Sequence, residues 1–212
     1  MGRSMKISAP PSASPAVAQF VQRYPDIGVS LDVRARREAG KWLAGREYDI
    51  GIGALPVDHP EIRTELLLRV RAQAIVPVDH PLADATEISV DNLDGEPMIR
   101  LMHGLLLRDQ LDDMFQSAGL TPKPSCEVAS SALACALVAD GGGITIADEL
   151  VASQVDASRI RLIPITPERW MSFGLLFPIN ARPSNRLENL IGILRSNAQR
   201  LADASPTIEI PE

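Results

Sequence analysis

The apolar residues of this chain change their spacing repeatedly, and that switching restricts its fold more than any single motif does. Val17, Phe20 and Val21 recur at helical spacing within Ala16–Tyr24, and Pro25 ends that helix. Ile27, Val29, Leu31 and Val33 then alternate with Gly28, Ser30, Asp32 and Arg34, a period of two that predicts a half-buried strand. Strands are also predicted at Lys6–Ala9, Asp49–Leu55, Leu66–Pro77, Met98–Met102, up to Ala129, and at Ile144–Ala147, Ile160–Ile165 and Phe173–Phe177. Helices are predicted at Arg37–Ala44, Leu105–Ala118, Ser130–Asp140, Asp148–Ala152 and from the Ser184 cap to about Ala202. Gly45, Gly119 and Gly141–Gly143 stand where helices stop, and the tail from Asp203 is expected to be loose. Strands alternate with helices on both sides of a break at Pro77–Ala85, which predicts an α/β fold with mainly parallel sheets. There is no internal repeat.

Composition narrows the partners. A hydrophobic fraction of 45 % supports one large domain or two small lobes, and with aromatics at 4 % the core must be aliphatic. The formal net charge of −6 and scattered arginines argue against phosphate-backbone binding by this chain. The one dense cluster, Arg34, Arg36 and Arg37, is followed by Glu38 and reads as a solvated helix start. Cys126 and Cys135 have no Cys or His partner at a metal spacing, and both read as buried small residues. No apolar run is long enough to span a membrane, and Met1–Ser4 is too short for a signal peptide. Ahead of a second methionine, Met5, it reads as a cloning remnant. A reducing cytoplasm is the expected compartment.

A catalytic reading needs a nucleophile with a base, a metal cluster, or paired carboxylates. His80 lies in a His-Pro-Leu-Ala turn and His59 between Asp58 and Pro60, both structural settings. His103 follows a strand and precedes Gly104, at a strand end where α/β proteins bind ligands; a ligand contact and an ordinary loop role both stay open. Gly141–Gly143 follows a helix instead of opening one, the wrong geometry for a phosphate loop. Asp112 and Asp113, beside Arg108, read as a solvated helix face. Ser130 and Ser131 end a strand and open a helix, where hydroxyls and backbone N–H groups either hold a carboxylate or simply cap the helix. Ser12 and Ser14 offer the same chemistry at the first strand–helix junction. Arg100 adds a charge if its side chain faces the site. No catalytic residue, metal or cofactor is expected, and the chain does not read as an enzyme.

Four stretches, in one order, resemble the effector-binding domain of LysR-type transcription regulators. They are Phe20 to Leu31 (FVQRYPDIGVSL), Trp42 to Gly53 (WLAGREYDIGIG), Val76 to Ala83 (VPVDHPLA), and Arg108 to Phe115 (RDQLDDMF) followed by Gly119-Leu-Thr-Pro and Val138 to Thr145 (VADGGGIT). The resemblance implies a fold like the type 2 periplasmic binding proteins, two Rossmann-like lobes joined by two crossovers. Lobe I would be 5–78 plus 167–203 and lobe II 79–166. The family's winged helix-turn-helix, which precedes this domain, is not in the sequence. The implied cleft carries Pro11, Ser12, Ser14, Ala54, Leu55, Leu101, Met102, His103, Ser130 and Ser131. Ala54 and Leu55 lack hydroxyls, which points to an effector with an apolar part as well as a carboxylate. The resemblance further implies a homodimer, or a tetramer at full length, in which the first helix and second strand of one chain meet the Ser130–Asp140 helix of the other. DNA would be reached only through the missing domain, and no membrane is involved. One departure is the stretch Pro11 to Phe20, shorter than the family usually shows. The alternative is a solute-binding protein of a transport system with the same fold.

Overall fold

The computed structural model describes residues 4–45 and 47–211, so of the remnant expected at Met1–Ser4 only Ser4 falls within it. After Met5–Ser8 (β1), a 3-10 turn at Pro11–Ala13 leads into Ser14–Arg23 (α1). The helix starts two residues earlier than its apolar spacing predicts, because Pro15 falls in the first turn, where a missing N–H is no loss. Then come Val29–Asp32 (β2), Ile50–Leu55 (β3), Ile62–Pro77 (β4), Ile88–Ser89 (β5) and Pro97–Leu101 (β6). Leu106–Ser117 (α2), Lys123–Val128 (β7), Ser131–Ala139 (α3), Thr145–Asp148 (β8) and Glu149–Ala152 (α4) follow. Ile160–Thr166 (β9), Trp170–Pro178 (β10), Asn185–Ala204 (α5) and Ile208–Glu209 (β11) complete the chain.

Two compact units result, one holding the chain up to Arg69 and again from Ser172, the other Val70–Met171. The chain passes from the first to the second within β4 and returns within β10. In the first unit β1 pairs in parallel with β2 and β3, and β3 pairs antiparallel with β10. Alternate residues of β10 serve opposite faces, as the pleat requires. Leu175 and Phe177 join Phe20 of α1 and Leu190 and Leu194 of α5, whereas Leu176 joins Trp42, Leu43 and Tyr48. In the second unit β6 and β7 are parallel, and β8, β4 and β9 are antiparallel in turn. Ile99 N donates to Ile144 O at 2.8 Å and Ile144 N to Pro97 O at 3.0 Å, which ties β6 to the segment entering β8. The sheets are therefore mixed rather than mainly parallel, because β4 and β10, which carry the chain between units, run against their neighbours.

Several local expectations are corrected. The run through β2 is half-buried only at its start: Ile27 and Val29 pack against the core, but Leu31 is 47 % and Val33 65 % exposed, since among the described residues β2 pairs only with β1. The Arg37–Ala44 helix is a 3-10 turn at Arg36–Glu38 followed by a π-helical turn at Gly40–Ala44, and Gly45 keeps φ −67°, not the left-handed stop expected of it. The tail is not loose. Helix α5 continues through Ala204, β11 pairs with β4, and Ile208 is buried beside the Arg69–Glu209 ion pair. Of the cysteines only Cys135 is buried; Cys126 is exposed on β7, which pairs only with β6.

Candidate functional site

In the second unit the ends of β6 and β7 set the geometry. Leu101 stands opposite Val128, and Met102 N donates to Val128 O at 2.9 Å, so the loops after the two strands begin side by side. One loop carries Met102 and His103. Met102 is 47 % exposed and the His103 side chain 75 %. The other carries Ser130 and Ser131 into α3. Ser130 is extended (φ −150°, ψ 147°) and its Oγ accepts from Leu133 N at 3.3 Å, a true N-cap. As at any helix N-terminus, the other N–H groups of the first turn have no acceptor within the helix. Leu101 contributes differently from the rest: its side chain is buried, so only its backbone reaches the loop surface.

Beneath these loops sits a charged cluster that the sequence reading misplaced. Asp112 is not a simple solvated carboxylate. Arg108 Nε donates to its two oxygens at 2.9 and 2.7 Å, and Arg100 also pairs with it. Arg108 Nη1 donates to Glu127 Oε1 at 2.8 Å and to the Leu101 carbonyl, and Nη2 lies 3.0 Å from His103 Nε2. Burial alone would push the Arg108 pKa down, but hydrogen bonds to Glu127 and Asp112 outweigh it and hold the guanidinium above its ordinary value. Burial, then the Arg108 charge, push Arg100 down, and the Arg108 hydrogen bond holds Glu127 below the usual carboxylate range. Arg100 thus points toward α2 and is already paired. The overlooked signal is helical spacing: Arg108 lies three, six and seven residues before Leu111, Met114 and Phe115, on the buried face of α2.

In the first unit, β1 and β3 are parallel neighbours with Ser8 opposite Gly51. Pro11, Ser12 and Ser14 follow the end of β1, and Ala54 and Leu55 close β3. Ser12, Ala54 and Leu55 are half-buried; Pro11 and Ser14 are exposed. The nearby arginines are not merely solvated. Arg36 Nη1 donates to Pro56 O at 2.6 Å, fixing the exit of β3. Arg34 N donates to the buried Ser8 Oγ at 3.2 Å, and its Nε donates to Tyr48 Oη at 2.8 Å. Tyr48 in turn donates to Asp32 at 2.8 Å, which holds that carboxyl below its usual range. The ten expected residues therefore form two groups, five in each unit, each at the carboxyl ends of neighbouring parallel strands.

Loops at such strand ends, beside a capped helix start, are where α/β domains bind ligands. The LysR substrate binding domain model matches residues 3–199, and the chain belongs to that family. It is 28 % identical to the regulatory protein NocR of Agrobacterium tumefaciens (strain T37) over 170 residues, 80 % of this chain and 57 % of NocR. The chain thus spans little more than half the length of that relative. Its fold matches the regulatory domain of Synechocystis PCC6803 CcmR in complex with 2-PG, with TM-score 0.78 and 20 % identity, covering 92 % of this chain and 96 % of that one. It likewise matches the BenM effector binding domain with its effector benzoate, with TM-score 0.76 and 20 % identity over 94 % and 93 % of the two chains. The periplasmic-binding-protein-like fold implied by the sequence is the fold these domains share. No helix among the described residues is long and apolar enough to cross a membrane.

Proposed function

We propose that the chain is the effector-sensing domain of a LysR-type transcription regulator. A small carboxylate-bearing metabolite binds at the strand ends, in a domain whose lobe I is taken as 5–78 plus 167–203 and lobe II as 79–166. It favours one conformation of the domain over another, which requires a difference in its affinity for the two. A homodimer relays that shift to DNA-binding domains carried elsewhere in a longer protein. The observation that carries this reading is the meeting of Met102–His103 with the Ser130-capped start of α3 at adjoining strand ends, in a member of this family. The benzoate bound by BenM is itself a carboxylate. The net charge of −6 fits a domain that leaves DNA contact to another.

A panel of small carboxylates, benzoate and shikimate included, should contain members that raise the melting temperature of the chain. Changing Ser130 and Ser131 together to Ala should weaken the best of them by about tenfold or more, since a hydrogen bond to a charged group is worth roughly 1.5–3 kcal/mol. The capping loss alone should cost about 1 kcal/mol of stability. Equal binding by parent and double variant would reduce these serines to helix caps.

Self-association has an exposed surface to use. Val21 of α1, Leu31 of β2 and the following Val33 are exposed, as is Leu133 of α3, whereas Val17 and Phe20 are spent in the core. The chain should run as a dimer in light scattering, and Leu133→Glu with Leu31→Glu should return it to a monomer of unchanged helix content. A parent chain that stays monomeric near 1 mM would count against pairing through these faces.

A further inference from the structure

The guanidinium of Arg108 is held too firmly to swing. Its side chain is only 5 % exposed, Nε is bonded to both oxygens of Asp112, and Nη1 is shared between Glu127 and the Leu101 carbonyl. Those three partners lie on α2, β7 and β6, so three elements set the direction in which Nη2 points. It points at His103 Nε2, 3.0 Å away. A guanidinium carries donors only, so Nε2 must be the acceptor, and in the neutral ring the proton then sits on Nδ1. Among the described residues the nearest carboxylate oxygen to Nδ1, Asp112 Oδ2, is 3.9 Å distant, too far for a hydrogen bond. The Nδ1–H group is therefore left to solvent or to a ligand, on a side chain 75 % exposed.

We propose that Arg108 is a positioning residue that fixes His103 in its Nδ1–H tautomer, so that the loop after β6 selects effectors presenting an oxygen acceptor. With Nε2 occupied, the ring offers one donor and no acceptor. A carboxylate or carbonyl oxygen satisfies it; an ammonium or amide N–H placed there meets no lone pair and loses its own hydration. The selection rests on the reading that Leu101–His103 lines the effector site. The tautomer does not.

The test uses the chain labelled with nitrogen-15 in histidine. Long-range nitrogen–proton spectra at pH 8, with His103→Gln identifying the signals, should show a protonated Nδ1 and a bare Nε2 at His103. Arg108→Met should reverse the pattern to a protonated Nε2. The parent spectrum alone decides the assignment, so it stands even if that variant misfolds. A protonated Nε2, or an average of both forms, in the parent overturns the inference and leaves the effector reading untouched. Carboxylates from the thermal panel, benzoate and shikimate among them, should then bind His103→Leu about tenfold more weakly. They should bind His103→Asn, whose amide keeps a donor near the Nδ1 position, nearly as well as the parent. A panel without binders would overturn the selection together with the effector reading; binders indifferent to His103→Leu, with the tautomer as assigned, would overturn the selection alone and place the loop outside the site.

Discussion

Replacing Asp148 by Asn should make the chain more stable at neutral pH and leave it nearly unchanged at pH 4. Asp148 ends β8 and caps α4, its Oδ1 accepting from Val151 N at 3.2 Å. The residue is 4 % exposed, and burial pushes its carboxyl up to about 6, against the lowering effect of backbone hydrogen bonds from Val151 and Leu150. A carboxyl whose folded pKa lies above its unfolded value contributes stability fully below the unfolded value, near 4, and loses it as pH rises through about 6. The rise from 3.8 to about 6 corresponds to about 3 kcal/mol across that window. Asn keeps the cap, since the two residues cap helices about equally well, and carries no charge to desolvate. Urea midpoints of parent and Asp148→Asn, taken every half pH unit, isolate this group because all other titrations cancel in the difference. The parent should fall behind the variant steadily between pH 4 and 7. A flat difference, or a parent that gains on the variant, would show that Asp148 is ionised at little cost. The same pocket pushes the neighbouring Cys135 thiol up to about 12, again first by burial and then by the Asp148 charge.

Gly143→Ala should be among the most damaging single substitutions in the second unit. Gly143 has φ +127°, and a Cβ there would stand 2.3 Å from Pro97 O. That oxygen accepts from Ile144 N, one of the two bonds tying β6 to the segment entering β8, so relief must come from moving the strand. Backbone strain of about 1–3 kcal/mol adds to the clash. A total of at least about 3 kcal/mol is a large share of an ordinary domain's stability. Gly141→Ala is the control: φ is +81° but a Cβ meets nothing within 4 Å, so only strain of about 1 kcal/mol applies. Denaturant midpoints for the two variants separate clash from strain, and a Gly143→Ala no worse than Gly141→Ala would refute the close approach.

Both substitutions act on the segment behind α3, whose first turn carries Ser130 and Ser131. Helix α3 packs on β6 and β8, and its Cys135 and Val138 are fully buried. The serines are held at the β7 exit by this packing, which is why their removal should cost binding more than structure.

The sequence by itself determined most of the elements and their order, though not β5, β11 or the 3-10 and π turns at 36–44. Period-two runs became strands, Ser130 and Ser184 became N-caps, and Gly119 and Gly141 became left-handed helix ends, because each of these depends on neighbours within about five residues. It also determined the family, through motifs spread over most of its length. Tertiary structure alone decided what each charged group does. Helical spacing places Asp112, not Asp113, one turn after Arg108, but nothing in that window shows that β6 and β7 bring Arg100 and Glu127 to the same face of α2. Likewise the alternation of Ile27–Val33 reports a strand but not its position, and only the pairing of β2 with β1 alone leaves Leu31 and Val33 in solvent. Local spacing fixes backbone conformation through short-range sterics and hydrogen bonds. Burial and ion pairing depend on residues far apart in the chain, here 12 to 19 positions for Arg100–Asp112 and Arg108–Glu127, and are settled only when the sheet assembles.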